Sequence, residues 1–545
     1  MTMLDQSAAW RSRREQAFAA EAPHSLGALL ERAARDYGDT TAIDLFERGT
    51  SLSFSQWDDK SRRLASGLRD LGIERGMHVG VLLQNVVEFP VTWLALARMG
   101  AVMVPMNPRY TSTELNYVIT DAEIRHLVIG FESVEKIDEV RRLWPQTDLD
   151  TVMVVGDGEL PEDYTGWNGV LESGSPDFVP SHRVEPSDLA SIQYTSGTTG
   201  FPKGCMQSHR FWLVCGFNQH VMPEVFTTGS ILGESPFFYL DALLMTARSL
   251  FQGATLLQAE RMSLHKHHGR LVDTQCECAF APVLSDEPGP EEREHSIKMF
   301  ICVAGSPQEN AEIERRYGAP VRELFGMTEI GIALGVPYHI DDPAIIGTCG
   351  VPYPLYEAKV MDAAGQTCPN ETPGELWIRG PGIMEGYWNK PEVNARSFSD
   401  GWFRTGDIFT RTTAGYFRYV GRFKDMIKRS GENISAVEVE TVMRQFRQIE
   451  EIAVIPVKHR VRGEEVKAFI TLDPKVSVAT FDYAALHAHC TEHLASFKIP
   501  RYIEIIEAFD HTPSAKIKKN DLIASNSLKG DWDYTTNARV EVEVT

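Results

Sequence analysis

Between residues 79 and 155, short apolar β-prone runs alternate with amphipathic stretches, and this alternation narrows the possible folds more than any other feature of the chain. The runs cover 79–83, 101–106, 126–129 and 151–155, and one intervening stretch opens with the capping-box pattern Thr111-x-x-Glu114. A strand followed by a helix and another strand pairs in parallel, because the crossover brings the chain back in the same direction. The expectation is an α/β fold of layered parallel sheets. A chain of 545 residues also calls for several folding units at about 150 residues each. Residues 156–188, rich in Gly, Ser, Pro and acids, predict a long surface connection, as do residues 285–296 (SDEPGPEEREHS). The stretch 373–421, dense in Gly, Trp, Tyr and Phe, predicts a β-rich subdomain with a strand near 375–379. After Arg422 a βαβ-like pattern returns, with helices at 437–446 and 483–494 and strands at 452–457 and 467–472. We therefore expect a large N-terminal region of several subdomains, 1–421, and a small α+β domain, 422–545. The chain shows no internal repeat and no heptad pattern.

Charge and composition exclude several classes. With 54 basic and 75 acidic side chains the net charge is −21, and 43% hydrophobic with 24% charged residues is the balance of a folded globular protein, not of a disordered or collagenous chain. Such a charge repels polyphosphate backbones and anionic lipid, so neither nucleic acid nor a membrane is an expected partner, and any anionic ligand needs a local binding device. The first forty residues lack the apolar core of a signal peptide, and residues 79–106 are interrupted by Gln84, Asn85, Glu88, Pro90 and Arg98. The expected location is the cytoplasm. Eight scattered cysteines without a Cys-x-x-Cys pair predict reduced thiols, mostly in cores. His265, His267 and His268 with Cys276 and Cys278 can be drawn as a metal site, but no structural zinc spacing fits, and Arg261, Lys266 and Arg270 crowd the run.

The local device is the segment 194–204, Tyr-Thr-Ser-Gly-Thr-Thr-Gly-Phe-Pro-Lys-Gly. Gly197, Gly200 and Gly204 let backbone N–H groups turn toward an anion, Thr195, Ser196, Thr198 and Thr199 supply hydroxyls, and Lys203 supplies charge. It is not a Walker A loop, because Pro202 precedes the lysine and Gly204 follows it.

With that loop the chain resembles the adenylate-forming superfamily of acyl-CoA synthetases, firefly-type luciferases and peptide-synthetase adenylation domains. Further signatures follow in the family's order: Phe325-Gly326-Met327-Thr328-Glu329, Trp402-Phe-Arg-Thr-Gly-Asp407, Gly421-Arg-Phe-Lys-Asp425 and Pro513-Ser-Ala-Lys516. The resemblance implies ATP, Mg²⁺ and CoA as cofactors and a small-molecule carboxylic acid as substrate. It implies Thr328 on the α-phosphate, Glu329 near Mg²⁺, Lys203 in the phosphate loop, and an adenine site made by Phe325, Gly326 and Met327 against Gly305, Ser306 and Pro307. Asp407 and Arg422 have the donors and acceptors for a ribose. Lys516 would bridge the carboxylate and the α-phosphate on a mobile C-terminal domain, with Lys424 as hinge and Lys428, Gly431 and Glu432 turned toward CoA in a second arrangement. The acyl pocket is expected around Trp212, Tyr239, Asp241, Gly305 and Gly331.

Three residues depart from the pattern or stand out beside it. Ala515 stands where the family usually has Gly, which strains the backbone if φ is positive there, and Tyr239 stands where many acyl-CoA ligases have His. Asp241 recurs in carnitine-type CoA ligases and suits either an ammonium ligand or a structural hydrogen bond. The aromatic residues Phe211, Trp212 and Phe217 have core spacing, and in the family their helix borders the acyl pocket, which favours a bulky apolar acid. The expected reaction is acid plus ATP giving acyl-AMP, then transfer to CoA. The alternatives are transfer to a carrier protein's phosphopantetheine and a non-catalytic nucleotide sensor.

Overall fold

In the computed structural model the expected parallel strands pair at His78–Leu82, Val102–Pro105, His126–Gly130 and Thr151–Val155. Residues 11–19, 22–195, 202–221, 229–284, 289, 292–303, 305–338, 342–422, 426–429, 432–459, 462–512 and 516–540 are described. The capping box forms as read: Thr111 and Glu114 exchange side-chain and backbone bonds at the start of helix Ser112–Asp121. Apart from His78, His126 and Thr151 at their starts, the four paired strands are apolar, as strands covered on both faces must be.

Among the described residues the chain builds four sheets. The sheet just described continues through Leu189–Thr195 and Lys203–Ser208, an antiparallel hairpin, to the short strand Gly386–Tyr387. A nine-stranded sheet runs parallel through Thr41–Leu45, Thr255–Gln258, Ser230–Gly233, Cys278–Phe280, Met299–Val303 and Val321–Met327, and turns antiparallel at its ends. Helices with buried faces, such as Glu88–Met99, His209–Val221 and Leu240–Gln252, belong to the one large core that both sheets share. The β-rich stretch forms an antiparallel sheet of Glu357–Met361, Gly374–Arg379, Phe398–Ser399, Trp402–Arg411 and Phe417–Arg422. From Met426 onward a separate sheet and core begin, with helices Ala436–Arg444 and Tyr483–His493 against strands Ile449–His459 and Gly463–Leu472.

One expectation needs correction. Residues 156–188 are not only a surface connection, since Thr165–Gly166 adds a strand and Trp167–Ser173 is a helix. Trp167, Val170 and Leu171 are buried at helical spacing, and the Trp167 indole donates to Thr92 Oγ1 at 3.1 Å. The polar composition around them masks this short apolar stripe. Of the second expected loop, residues 285–288, 290 and 291 lie outside the described residues, and Glu292 is buried against Arg316. The eight cysteines are free and all buried.

Candidate active site

The phosphate-loop candidate is rooted in a hairpin. Thr195 and Lys203 pair across its open end, and the Tyr117 hydroxyl donates to the Pro202 carbonyl at 2.9 Å, fixing where the chain re-enters the strand. Ser196, Gly197, Thr198, Thr199 and Gly200 lie outside the described residues. Lys203 sits with its Nζ 4.4 Å from the centre of the Tyr387 ring, and the Tyr387 hydroxyl donates to Glu329 Oε1 at 2.7 Å. Lys203, Tyr387 and Glu329 therefore form one chain of contacts, held together because Gly386–Tyr387 pairs with Met206 and Cys205. Burial drives the Cys205 thiol well above its ordinary value, helped by the Glu329 carboxylate, so this cysteine is inert packing beneath the site.

Thr328 and Glu329 follow strand Val321–Met327 in a turn whose carbonyls are all taken. Ile330 N–H bonds Met327, the Gln207 amide bonds Thr328 at 2.9 Å, Met384 N–H bonds Glu329 at 2.8 Å, and the Tyr356 hydroxyl bonds Ile330 at 2.8 Å. Gly331 continues the turn at φ 59°, and a Cβ there would lie 2.2 Å from Cys215 Sγ, so only glycine fits. Cys215 fills the space behind Gly331. Phe325 is 9% exposed, edge-on to Phe409 at 4.8 Å and near-parallel to Tyr419 at 6.4 Å. Gly305 also has no room for a Cβ, which would meet Cys302 Sγ at 2.5 Å. Ser306 is the N-cap of helix Pro307–Tyr317, its hydroxyl engaged with Glu309.

Asp407 and Arg422 face each other on paired strands, with Oδ1 to Nε 3.3 Å. Lys516 comes to the same neighbourhood from the far end of the chain. Its carbonyl accepts from the Thr512 N–H at 2.7 Å, and residues 513–515, Ala515 included, lie outside the described residues. Burial and the Arg422 cation hold the Lys516 ammonium below the usual lysine range, against the opposing pull of Asp241 and Asp407. Burial raises the Asp241 carboxyl, opposed by Lys516. Each residue keeps surface that solvent reaches although neighbouring groups crowd its charged end, so solvent screens the interaction between them. Asp241 also stands in the first turn of helix Leu240–Gln252, where a carboxylate is favoured by the helix dipole.

This geometry yields a pH prediction. Asp241 favours the charged form of Lys516, so Asp241→Asn lowers the lysine's pKa further. A step that needs the ammonium is lost as pH rises through that pKa, so the alkaline limb of adenylation moves to lower pH in the variant. A pH–rate profile with an unmoved alkaline limb would show that Asp241 does not act on this lysine.

Family profiles and relatives agree with the geometry. The profile described as AMP-binding enzyme matches residues 30–388, and that of the AMP-binding enzyme C-terminal domain matches residues 438–516. The chain belongs to the AMP-binding enzyme family. Crotonobetaine/carnitine–CoA ligase from Salmonella paratyphi A is 29% identical over 524 residues, covering 91% of this chain and 98% of that protein. The protein of the same name from Proteus mirabilis is 28% identical, covering 90% and 97%. Among solved structures, ATP-bound MatB from Rhodopseudomonas palustris is 26% identical with a TM-score of 0.80, covering 91% of this chain and 98% of that one. The anthranilate CoA ligase AuaEII with anthranoyl-AMP, 24% identical and covering 93% and 98%, shares the fold at a TM-score of 0.82. The expected superfamily and fold class are borne out.

Trp212 is fully buried, its indole donating to Ser191 Oγ at 2.9 Å and packing on Trp93, and Phe211 is fully buried beside it. Both are packed in the core. Tyr239 is half-buried near Tyr110, whose hydroxyl burial pushes up to about 12. The loop before it is pinned by Asn85, which bonds the Ala259 carbonyl and the Phe237 N–H. Sequence reasoning missed Tyr387, Asn85 and Gln207, because their roles arise from contacts across 58 to 174 positions of chain. His267 is buried against Glu234, which also holds Arg270, and no group of three metal-ligating side chains occurs among the described residues. No helix among the described residues is long and apolar enough to cross a membrane.

Proposed function

We propose that this protein activates a carboxylic acid with ATP and passes the acyl group to the thiol of CoA. Its class, an AMP-forming acid–thiol ligase, is that of the CoA ligases it resembles. In the first step a carboxylate oxygen attacks the α-phosphorus and the bond to pyrophosphate breaks; in the second the thiol sulfur attacks the acyl carbon and AMP leaves. The observation that carries this reading is that Lys516 lies within electrostatic reach of Asp407, Arg422 and Asp241, a cation near a ribose-type donor and acceptor pair. Attack by one anion on another needs such a cation. Glu329 offers a hard oxygen with Tyr387 fixing its other oxygen, which suits a Mg²⁺ that keeps most of its ligands as water and phosphate.

Thr195, Lys203 and the loop between them are proposed to hold the phosphates, with Thr328 on the α-phosphate. Phe325, Gly326, Met327, Gly305, Ser306 and Pro307 are proposed to border adenine. Lys424 as hinge, with Lys428, Gly431 and Glu432 on the CoA side, rests on the resemblance; Lys424 and Gly431 lie outside the described residues, and the backbone of Lys428 pairs with Asn433. The domain boundary is proposed at 421/422, where the strand ending at Arg422 is followed by a separate core. A cytoplasmic setting is supported by eight unpaired cysteines, which suit a reducing compartment.

The acid is proposed to carry an apolar tail. Val303, 56% exposed, ends strand Met299–Val303, and Val283, 71% exposed, follows the neighbouring parallel strand Cys278–Phe280, an apolar rim for such a tail near Gly305. With about 25 cal/mol per Å² of buried apolar surface, cyclohexanecarboxylate should exceed acetate by about 100-fold in kcat/KM. Asp241 and the neighbouring Tyr110 and Tyr239 favour a second reading, a trimethylammonio acid, which the names of the curated relatives also support. Preference for the cationic acid over a neutral acid of equal volume, lost in Asp241→Asn, would select that reading. Measuring acid-dependent pyrophosphate release separately from thioester formation tests the whole proposal. Release without thioester would point to a carrier-protein acceptor, and no release with any acid would sink the enzyme reading.

A further inference from the structure

We propose that Gln207 is a positioning residue for adenylation, orienting the Thr328–Glu329 turn against the hairpin that carries Lys203. The inference rests on the adenylation reading above. Gln207 lies four positions after Lys203 on the same strand and is fully buried, as are Ser191 and Trp212, with Gln193 3% exposed. Four polar side chains with no ionisable group form a chain of bonds whose direction is fixed at its source. An indole N–H only donates, so Trp212 gives its proton to Ser191 Oγ at 2.9 Å, and Ser191 gives its own to Gln207 Oε1 at 2.8 Å. That orients the Gln207 amide, whose two N–H bonds reach the Thr328 carbonyl at 2.9 Å and Gln193 Oε1 at 3.2 Å. Gln193 in turn donates to the Phe238 carbonyl at 3.4 Å, next to Tyr239.

The relay thus starts in the core and ends on two carbonyls beside the cleft, one preceding Glu329 and one preceding Tyr239. A leucine would leave the Thr328 carbonyl and the Gln193 amide oxygen buried without this donor, so the turn would shift to find another partner. A shift of about 1 Å at reacting groups costs on the order of 100-fold in rate. The effect belongs to the first half-reaction, because the turn carries the groups proposed for the α-phosphate and Mg²⁺.

The test uses the full-length protein with cyclohexanecarboxylate, or the trimethylammonio acid if the parent prefers it. Acid-dependent ATP–pyrophosphate exchange and conversion of supplied acyl-AMP to thioester are measured in parallel. Gln207→Leu is expected to slow exchange about 30-fold through kcat while KM for ATP and thioester formation stay within about 3-fold. Gln207→Glu adds a readout that packing alone would not move. Its buried carboxyl opposes the Thr328 carbonyl when ionised and donates to it when protonated, so exchange relative to the parent should recover about 5-fold or more as pH falls from about 8 to about 6. Exchange unchanged in Gln207→Leu, equal loss in both half-reactions, or a flat pH ratio in Gln207→Glu each overturns the assignment. If Gln207→Leu does not fold, the Gln207→Glu pH ratio decides alone. Absence of exchange in the parent with every acid would instead overturn the adenylation reading itself.

Discussion

Lys516→Ala is expected to abolish acyl-adenylate formation, with a fall of about 1,000-fold or more in acid-dependent pyrophosphate release, while supplied acyl-AMP is still converted to thioester. The reason is electrostatic. The first step brings an anionic acid to an anionic phosphate, and negative charge builds on the oxygens between them. Lys516 is the cation set among Asp241, Asp407 and Arg422, and alanine leaves no donor in its place. Arg422 cannot substitute, since it is already engaged with Asp407 at 3.3 Å. In the second step AMP leaves the acyl carbon as a stable phosphate anion, and a lysine bridging substrate carboxylate and phosphate has nothing left to stabilise. Parent-rate pyrophosphate release in the variant, or equal loss in both half-reactions, would remove Lys516 from this role.

Glu329→Gln is expected to lower adenylation by about 100-fold at ordinary Mg²⁺ concentration, with partial recovery as Mg²⁺ is raised. The carboxylate is 8% exposed and one of its oxygens accepts from the Tyr387 hydroxyl. In the variant the amide oxygen takes over that bond, because the hydroxyl needs an acceptor. The amide nitrogen then points where the second oxygen stood and presents N–H groups to a cation. Volume and packing hardly change, so the effect isolates charge and ligation from folding. A Mg²⁺ titration that superimposes on the parent's would show that Glu329 does not serve the metal. Tyr387→Phe, which removes only the orienting hydroxyl, should have the smaller effect of the two.

Much of the fold was legible because it depends on local rules. The run 151–155 is a strand with the bounds read for it, and the Thr111–Glu114 capping box is made by the bonds its spacing requires. The helix Trp167–Ser173 escaped notice because three apolar residues in a polar, Gly-rich stretch give a weak periodic signal, and tertiary burial under Thr92 supplies what propensity lacks. The spacing of Trp212 indicated core packing while the resemblance put its helix beside the acyl pocket, and the bond to Ser191 and the ring of Trp93 show how it is packed.

By itself the sequence determined the class of fold, the motifs of the AMP-binding family and which side chains have the chemistry for ATP, because each of these follows from residue type at short spacing. Tertiary structure alone decided which of them meet. Asp407 opposes Arg422 through strand pairing, Tyr387 reaches Glu329 because Gly386–Tyr387 pairs with the strand after the phosphate loop, and Lys516 comes within electrostatic reach of Asp241 from the far end of the chain. It also put Asp241 within electrostatic reach of Lys516, where the sequence left open an ammonium ligand or a structural hydrogen bond. The physical reason is range: propensity and capping act over a few residues, whereas electrostatic partners are set by sheet order and by the docking of two cores, which no local pattern records.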